Sequence, residues 1–132
     1  MASIPPMILL DTDVVIDIER GHAPALAWLS CSRDMHAALP GIVALELLQG
    51  ARSDLESRRS RRLIDGYRLR WPSGRDGQRA LDSMSQLRRS GMSVPDALIA
   101  QTAIGLGAPL ATFNERHFRA VPGLTLVRPY ER

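Results

Sequence analysis

Short apolar runs alternate along this chain with longer stretches in which apolar residues recur every three or four positions. Met7-Ile8-Leu9-Leu10 is a continuous apolar run closed by Asp11, the pattern of a buried parallel strand. Thr12 or Asp13 can cap a helix running to about Arg20, with Val14, Val15 and Ile18 as its apolar face and Gly21 as its stop. Pro24 opens a second helix to about Ser32, and His36–Leu39, closed by Pro40, reads as a second strand. Ile42–Gly50 is helical and apolar on most sides, whereas Asp54–Asp65 is a charged helix with few core contacts. Tyr67–Trp71 alternates like a strand, Asp76–Arg89 carries apolar residues at helical spacing, and Gly91 stops it. Pro95 opens another helix with the stripe Leu98, Ile99, Ala103 and Ile104. Leu110–Thr112 and Leu124–Val127 are the remaining strands, with a short turn or helix at Asn114–Phe118 between them. Strands alternating with helices predict one α/β domain, its central, mainly parallel sheet flanked by helices. Binding sites in such sheets form beyond the carboxyl ends of the strands, where strand order reverses.

Composition narrows the chemistry. The chain has 132 residues, 45% of them hydrophobic, enough to bury a core without covalent staples. All 17 basic residues are arginine, against 14 carboxylates, for a net charge of +3. Without lysine there is no P-loop lysine, Schiff base or Ser-Lys dyad. With Cys31 alone there is neither an intrachain disulfide nor a cysteine zinc cluster. Met1–Pro6 has no features of a secretory signal and reads as a flexible leader; Met7 is an equally good start. No stretch is apolar enough to span a membrane. A free thiol without an export signal is expected in the cytoplasm.

Three carboxylates stand in apolar surroundings: Asp11 at a strand end, Glu46 inside Ile42–Leu48, and Asp96 at the head of an apolar helix. Burying an ionised carboxylate without a partner costs several kcal/mol, so each needs a reason. Asp11 can cap a helix, Asp96 can complement a helix dipole, and Glu46 can pair with a buried arginine. Yet a strand's carboxyl end and a helix's amino end meet at the top of a parallel sheet, and Glu46 can point into the same cleft. Carboxylates gathered there without cysteine or clustered histidine form a hard-oxygen site suited to Mg²⁺ or Mn²⁺. Such a site suits hydrolysis of a phosphodiester.

The residues that carry these features resemble a known family. Leu10-Asp11-Thr12-Asp13-Val14, Ala44–Ala51, Asp96-Ala97-Leu98-Ile99-Ala100, and Thr112–Phe118 followed by Val121–Leu124 stand in the order and spacing of the PIN-domain ribonucleases, specifically the VapC toxins of bacterial toxin–antitoxin pairs. The resemblance covers nearly the whole chain from Met7. It implies a PIN-like fold over residues 7–132 and metal-dependent endoribonuclease activity. It also implies a metal site of Asp11, Glu46 and Asp96, with Asp11 and Asp96 as primary magnesium ligands. The expected partners are an RNA substrate, a second copy in a homodimer and a VapB-type antitoxin, for which apolar residues on Ile42–Ala51 and Asp54–Ile64 offer a groove or are simply core. The family commonly has a further aspartate in the segment matching Thr112–Phe118, where this chain has Asn114 and His117. Asn114 can offer a carbonyl oxygen but no charge, which leaves one metal or two open; His117 can be a ligand or a surface or packing residue beside Phe118. Thr12 is expected to hydrogen-bond at the site. Asp13 either adds charge to the cleft or starts a helix, and Asp17 reads as a solvated helix position.

Between Arg52 and Arg79 nine arginines face four acids, a net +5 in one stretch. Part of this is a solvated helix face with pairs such as Asp54–Arg58. Arg58, Arg59, Arg61 and Arg62 are also expected to guide RNA, since a guanidinium contacts phosphate bidentately and stacks on bases. Two other readings remain. Leu9–Val15 also looks like the first motif of haloacid-dehalogenase-type phosphatases, but the later lysine and closing acidic pair are missing. A PIN-like RNA-binding module with weakened catalysis is the other, through Asn114.

Overall fold

The structure is a computed structural model and describes residues 6–132. Most of the expected leader, residues 1–5, lies outside the described residues. The elements run β1 (Met7–Leu10), α1 (Thr12–Glu19), α2 (Ala23–Cys31), β2 (His36–Pro40), α3 (Gly41–Gln49), α4 (Asp54–Asp65), β3 (Arg68–Arg70), α5 (Gly74–Leu87), α6 (Val94–Leu106), β4 (Leu110–Ala111), α7 (Glu115–Phe118) and β5 (Leu126–Val127), with a 3₁₀ turn at Arg88–Ser90. Among the described residues no helix is long and apolar enough to cross a membrane.

The sheet order is β3-β2-β1-β4-β5 and every pairing is parallel, so the expected mainly parallel sheet is wholly parallel. The chain builds outward from β1 through β2 to β3, then crosses back to add β4 and β5 on the other side of β1. Strand order therefore reverses between β1 and β4, and a crevice opens beyond their carboxyl ends. Leu9 pairs with Leu110 and Leu10 with Ala111, which brings Asp11 beside Thr112. Ile8, Leu9, Leu10, Leu39 and Leu110 are fully buried under helices on both faces, as continuous apolar runs in a parallel sheet require.

The strands are shorter than the alternation predicts, for Tyr67, Trp71, Thr112, Leu124 and Thr125 lie outside them. The sequence offers Asp11, Thr12 and Asp13 as caps for α1. Asp11 itself is the N-cap, in extended backbone, with its carboxylate accepting the Thr12 N–H at 2.8 Å. Helix α6 begins one residue before Pro95 and is capped by the Ser93 hydroxyl, which accepts the Asp96 N–H. It is buried along most of its length, from Ala97 to Ala103.

Helices α5 and α6 are locked by a polar contact the sequence conceals. Asp76 is buried, closes a capping box with Ser73 and accepts from Arg79, which also donates to Gln101 on α6. Gly105 on α6 lies directly against the Asp76 carboxylate, leaving no room for a Cβ. Gly105→Ala is therefore expected to destabilise the fold by about 1–3 kcal/mol despite alanine's better helix propensity. Chemical denaturation checks this; an unchanged or higher midpoint would mean that Asp76 can swing aside.

Candidate active site

The crevice at the switch point is a cleft of about 370 Å³ lined by Asp11, Thr12, Asp13, Ile16, Glu46, Asp96 and Asn114. Three separate parts of the chain supply its carboxylates. Asp11 and Asp13 come from the β1–α1 junction, Glu46 from the middle of α3 and Asp96 from the first turn of α6.

Asp11 is 6% exposed. One carboxylate oxygen accepts the Thr12 N–H, and the other accepts the Thr112 hydroxyl at 2.6 Å. Burial, with the Asp13 charge second, pushes its pKa up to about 7, although both hydrogen bonds pull the other way. Asp13 accepts the Val14 and Phe113 N–H groups at 2.8 and 2.9 Å, so it ties α1 to the segment after β4. Its pKa is raised by burial against those two donors. Glu46 accepts the Thr12 hydroxyl at 3.1 Å; burial raises its pKa, the Thr12 bond lowers it and the Asp96 charge raises it. Asp96 is raised by burial too, opposed by Ser93 and by His117. Four carboxylates thus share one cleft, and each is held above its ordinary range. Mutual repulsion and poor hydration of the carboxylates make the cleft favourable for a bound cation.

The donors fit a hard divalent cation. Among the described residues no three Asp, Glu, His or Cys side chains close together tightly enough to enclose an ion by themselves. Mg²⁺ does not require that, since it keeps several waters and takes only one or two direct carboxylates.

The matched family model settles the lineage: the PIN domain, over residues 8–124. The chain belongs to the PIN-domain family. Ribonuclease VapC10 of Mycobacterium tuberculosis is 37% identical over 115 residues, covering 85% of this chain and 86% of that protein. A toxin–antitoxin complex from Klebsiella pneumoniae contains a chain of the same fold, with a TM-score of 0.73, 26% identity and coverage of 95% and 99%. VapBC2 from Rickettsia felis, bound to a promoter DNA fragment, aligns with a TM-score of 0.77 and 22% identity over 92% of this chain and 97% of the matched one. The expected PIN-like α/β fold is the one observed.

In this PIN domain Asp11, Thr12, Asp13, Glu46, Asp96 and Asn114 line one cleft. His117 is not among the lining residues; its Nδ1 is 3.9 Å from Asp96 and accepts the Asn114 amide at 3.1 Å. A larger groove of about 510 Å³ adjoins the cleft, sharing Thr12, Ile16 and Glu46 with it and continuing along Arg20, Arg52 and Arg59. The four carboxylates Asp11, Asp13, Glu46 and Asp96 meet in the smaller cavity. Of the four predicted RNA-binding arginines, Arg59 lines the groove, while Arg58, Arg61 and Arg62 line neither cavity. Arg61 instead pairs with Asp65 at 3.0 Å, and that i,i+4 pair forms rather than Asp54–Arg58.

Two residues escaped sequence reasoning. Thr112 is wholly buried and bonds to Asp11 from 101 positions away. Asp17 is not a solvated helix position: it is 7% exposed and accepts from Tyr130 and Arg132. Burial works against its ionisation, but those two donors prevail and hold its carboxyl below the ordinary range.

Proposed function

We propose that this chain is a Mg²⁺- or Mn²⁺-dependent endoribonuclease, the toxin of a type II toxin–antitoxin pair, acting in the cytoplasm. The observation that carries this reading is the cleft of four carboxylates at the sheet's switch point, in a chain 37% identical to a VapC ribonuclease. Asp11, Asp96 and Glu46 would hold the ion, with Asp13 adding charge and Asn114 a neutral oxygen. Such an ion supplies charge stabilisation at phosphorus and makes water a better nucleophile at neutral pH.

The side chains of the chain have separable tasks. Thr112 and the Thr12 N–H fix both oxygens of Asp11, so this carboxylate enters the reaction already oriented. Thr12 holds one oxygen of Glu46, leaving the other to accept a hydrogen bond from the attacking water. Asp13 keeps the backbone of Phe113 close, and so places Asn114 at the cleft wall. No side chain acts as a covalent nucleophile. A metal-titrated cleavage assay tests the assignment: RNA hydrolysis should need Mg²⁺ or Mn²⁺ and be lost in Glu46→Gln and Asp96→Asn. Phosphomonoester turnover alone would point to a phosphatase, and RNA binding without cleavage to a binding module.

RNA would reach the cleft along the adjoining groove. Arg20, Arg52 and Arg59 can contact its phosphates there, although Glu19 and Glu56 line the same groove, with Arg58 and Arg62 as outlying positive charge. Arg59→Glu is expected to raise the RNA Kd and reduce the salt slope by about one, whereas Arg61→Glu should do less because Arg61 already pairs with Asp65. Equal effects of the two would remove the groove from the RNA path.

A VapB-type antitoxin and a homodimer complete the proposal. Most apolar residues of α3 and α4 are core, including Val43, Leu47 and Ile64, but Leu45 and Leu55 are about half exposed and free to meet the antitoxin.

A further inference from the structure

Arg128–Arg132 lies beyond the span matched by the family model and lines neither cavity, yet it grips both segments that carry the β1/β4 side of the cleft. The Tyr130 hydroxyl donates to Asp17 at 2.7 Å, and Arg132 donates to the other oxygen of the same buried carboxylate at 3.1 Å. Asp17 is one helical turn after Asp13 on α1. The Tyr130 ring also packs edge-on against Phe113, with centroids 4.9 Å apart, and Arg132 and Arg128 lie over Phe113 at 4.9 and 5.5 Å. Phe113 stands between Thr112, which orients Asp11, and Asn114, which lines the cleft. Its own N–H binds Asp13.

From this arrangement we infer that Tyr130 and Arg132 are positioning residues, a clamp that joins α1 to the Thr112–Asn114 segment and so sets the spacing of Asp11, Asp13 and Asn114. The inference rests on the proposed metal site. The clamp acts on the cleft through two contacts in series, Tyr130 to Phe113 and Phe113 to Asp13. The Asp17 hydrogen bond seats Tyr130, and the Arg128 and Arg132 guanidiniums cover the Phe113 ring it packs against, so the register of the two segments is fixed before any ligand arrives. Partners that orient metal ligands from behind commonly change metal affinity 10- to 100-fold when lost.

The test measures Mn²⁺ binding to the full chain by calorimetry without RNA, together with amide exchange at Phe113. Tyr130→Ala removes ring and hydroxyl, Tyr130→Phe removes the hydroxyl alone, and Gly105→Ala serves as a destabilised control remote from the clamp. Tyr130→Ala should weaken Mn²⁺ about 10-fold, speed exchange of the Phe113 amide and lower kcat with little change in KM; Tyr130→Phe should recover part of each. Mn²⁺ affinity within twofold of wild type in Tyr130→Phe and Tyr130→Ala would overturn the clamp, as would an equal loss in Gly105→Ala. If Tyr130→Ala does not fold, Tyr130→Phe decides. A wild-type chain that binds no Mn²⁺ would refute the metal site instead, and Phe113 exchange would still decide whether the clamp holds that segment.

Discussion

Asp11→Asn is expected to abolish RNA cleavage and, at the same time, to make the metal-free protein harder to unfold at pH 8. The loss of activity follows from removing the most buried of four carboxylates that face a shared cleft. In the proposed reaction several kcal/mol of charge stabilisation at phosphorus would depend on the ion, so cleavage should fall by about 10²–10³-fold or more. The gain in stability has the same origin. Asp11 is ionised at pH 8 in a site that opposes its ionisation through burial and through Asp13 and Asp96. Asparagine keeps the shape and can still accept the Thr12 N–H while shedding the charge. Part of the gain is offset because the Thr112 hydroxyl loses a charged acceptor. A net gain of about 1–3 kcal/mol would raise Tm by roughly 3–5 °C per kcal/mol at this length. The gain should shrink as pH is lowered toward 4. A variant that is inactive but less stable than wild type at pH 8 would show that Asp11 is a structural cap and not a strained ligand.

The second large effect is the pH dependence of the wild-type chain. Asp11 has a pKa of about 7 in the fold against 3.8 as a free carboxyl. Between those values the native state holds more protons than the unfolded state, so stability must fall as pH rises. Its contribution is fully present below about pH 4 and lost once pH passes about 7, a change of up to about 4 kcal/mol from this group alone. Asp13, Glu46 and Asp96 are raised as well and act in the same direction. Asp17 acts oppositely, since its depressed pKa gives stability that is lost only in acid. Mn²⁺ should reverse the slope. Its binding displaces protons, so its affinity should climb from pH 6 to pH 8, and the loaded protein should be most stable where the metal-free one is weakest. Thermal unfolding across pH 5–8, with and without Mn²⁺, checks this, and parallel curves would contradict it.

The sequence carried most of this picture wherever the physics is local. The apolar run Met7–Leu10 reads as a buried strand, and the polar stop at Asp11 marks the end where the cleft opens. Carboxylates at Asp11, Glu46 and Asp96 stood out because their neighbours are apolar, and that contrast survives in the fold as raised pKa values. Features made by distant pairing did not show. Thr112 gains its role only when β4 docks beside β1, and Asp17 is buried by partners 113 and 115 positions later. Asp76 stands in the sequence only as a helix start, and its burial comes from α6 packing over it with Gly105. The arginine-rich stretch is legible in the sequence as charge, but which of its arginines share a surface is not. Arg79 is committed to Asp76 and Gln101, and of the four arginines singled out on α4 only Arg59 reaches the groove.

The central claim is that the four-carboxylate cleft cleaves RNA through a divalent ion held by Asp11 and Asp96. The most direct measurement is cleavage of a labelled RNA by purified wild type, Asp11→Asn and Asp96→Asn across a Mn²⁺ titration, with EDTA as the zero point. Cleavage should appear only in the wild type, rise with Mn²⁺ to saturation and vanish with EDTA. Cleavage that persists in EDTA, or that survives at wild-type rate in either variant, would contradict the account.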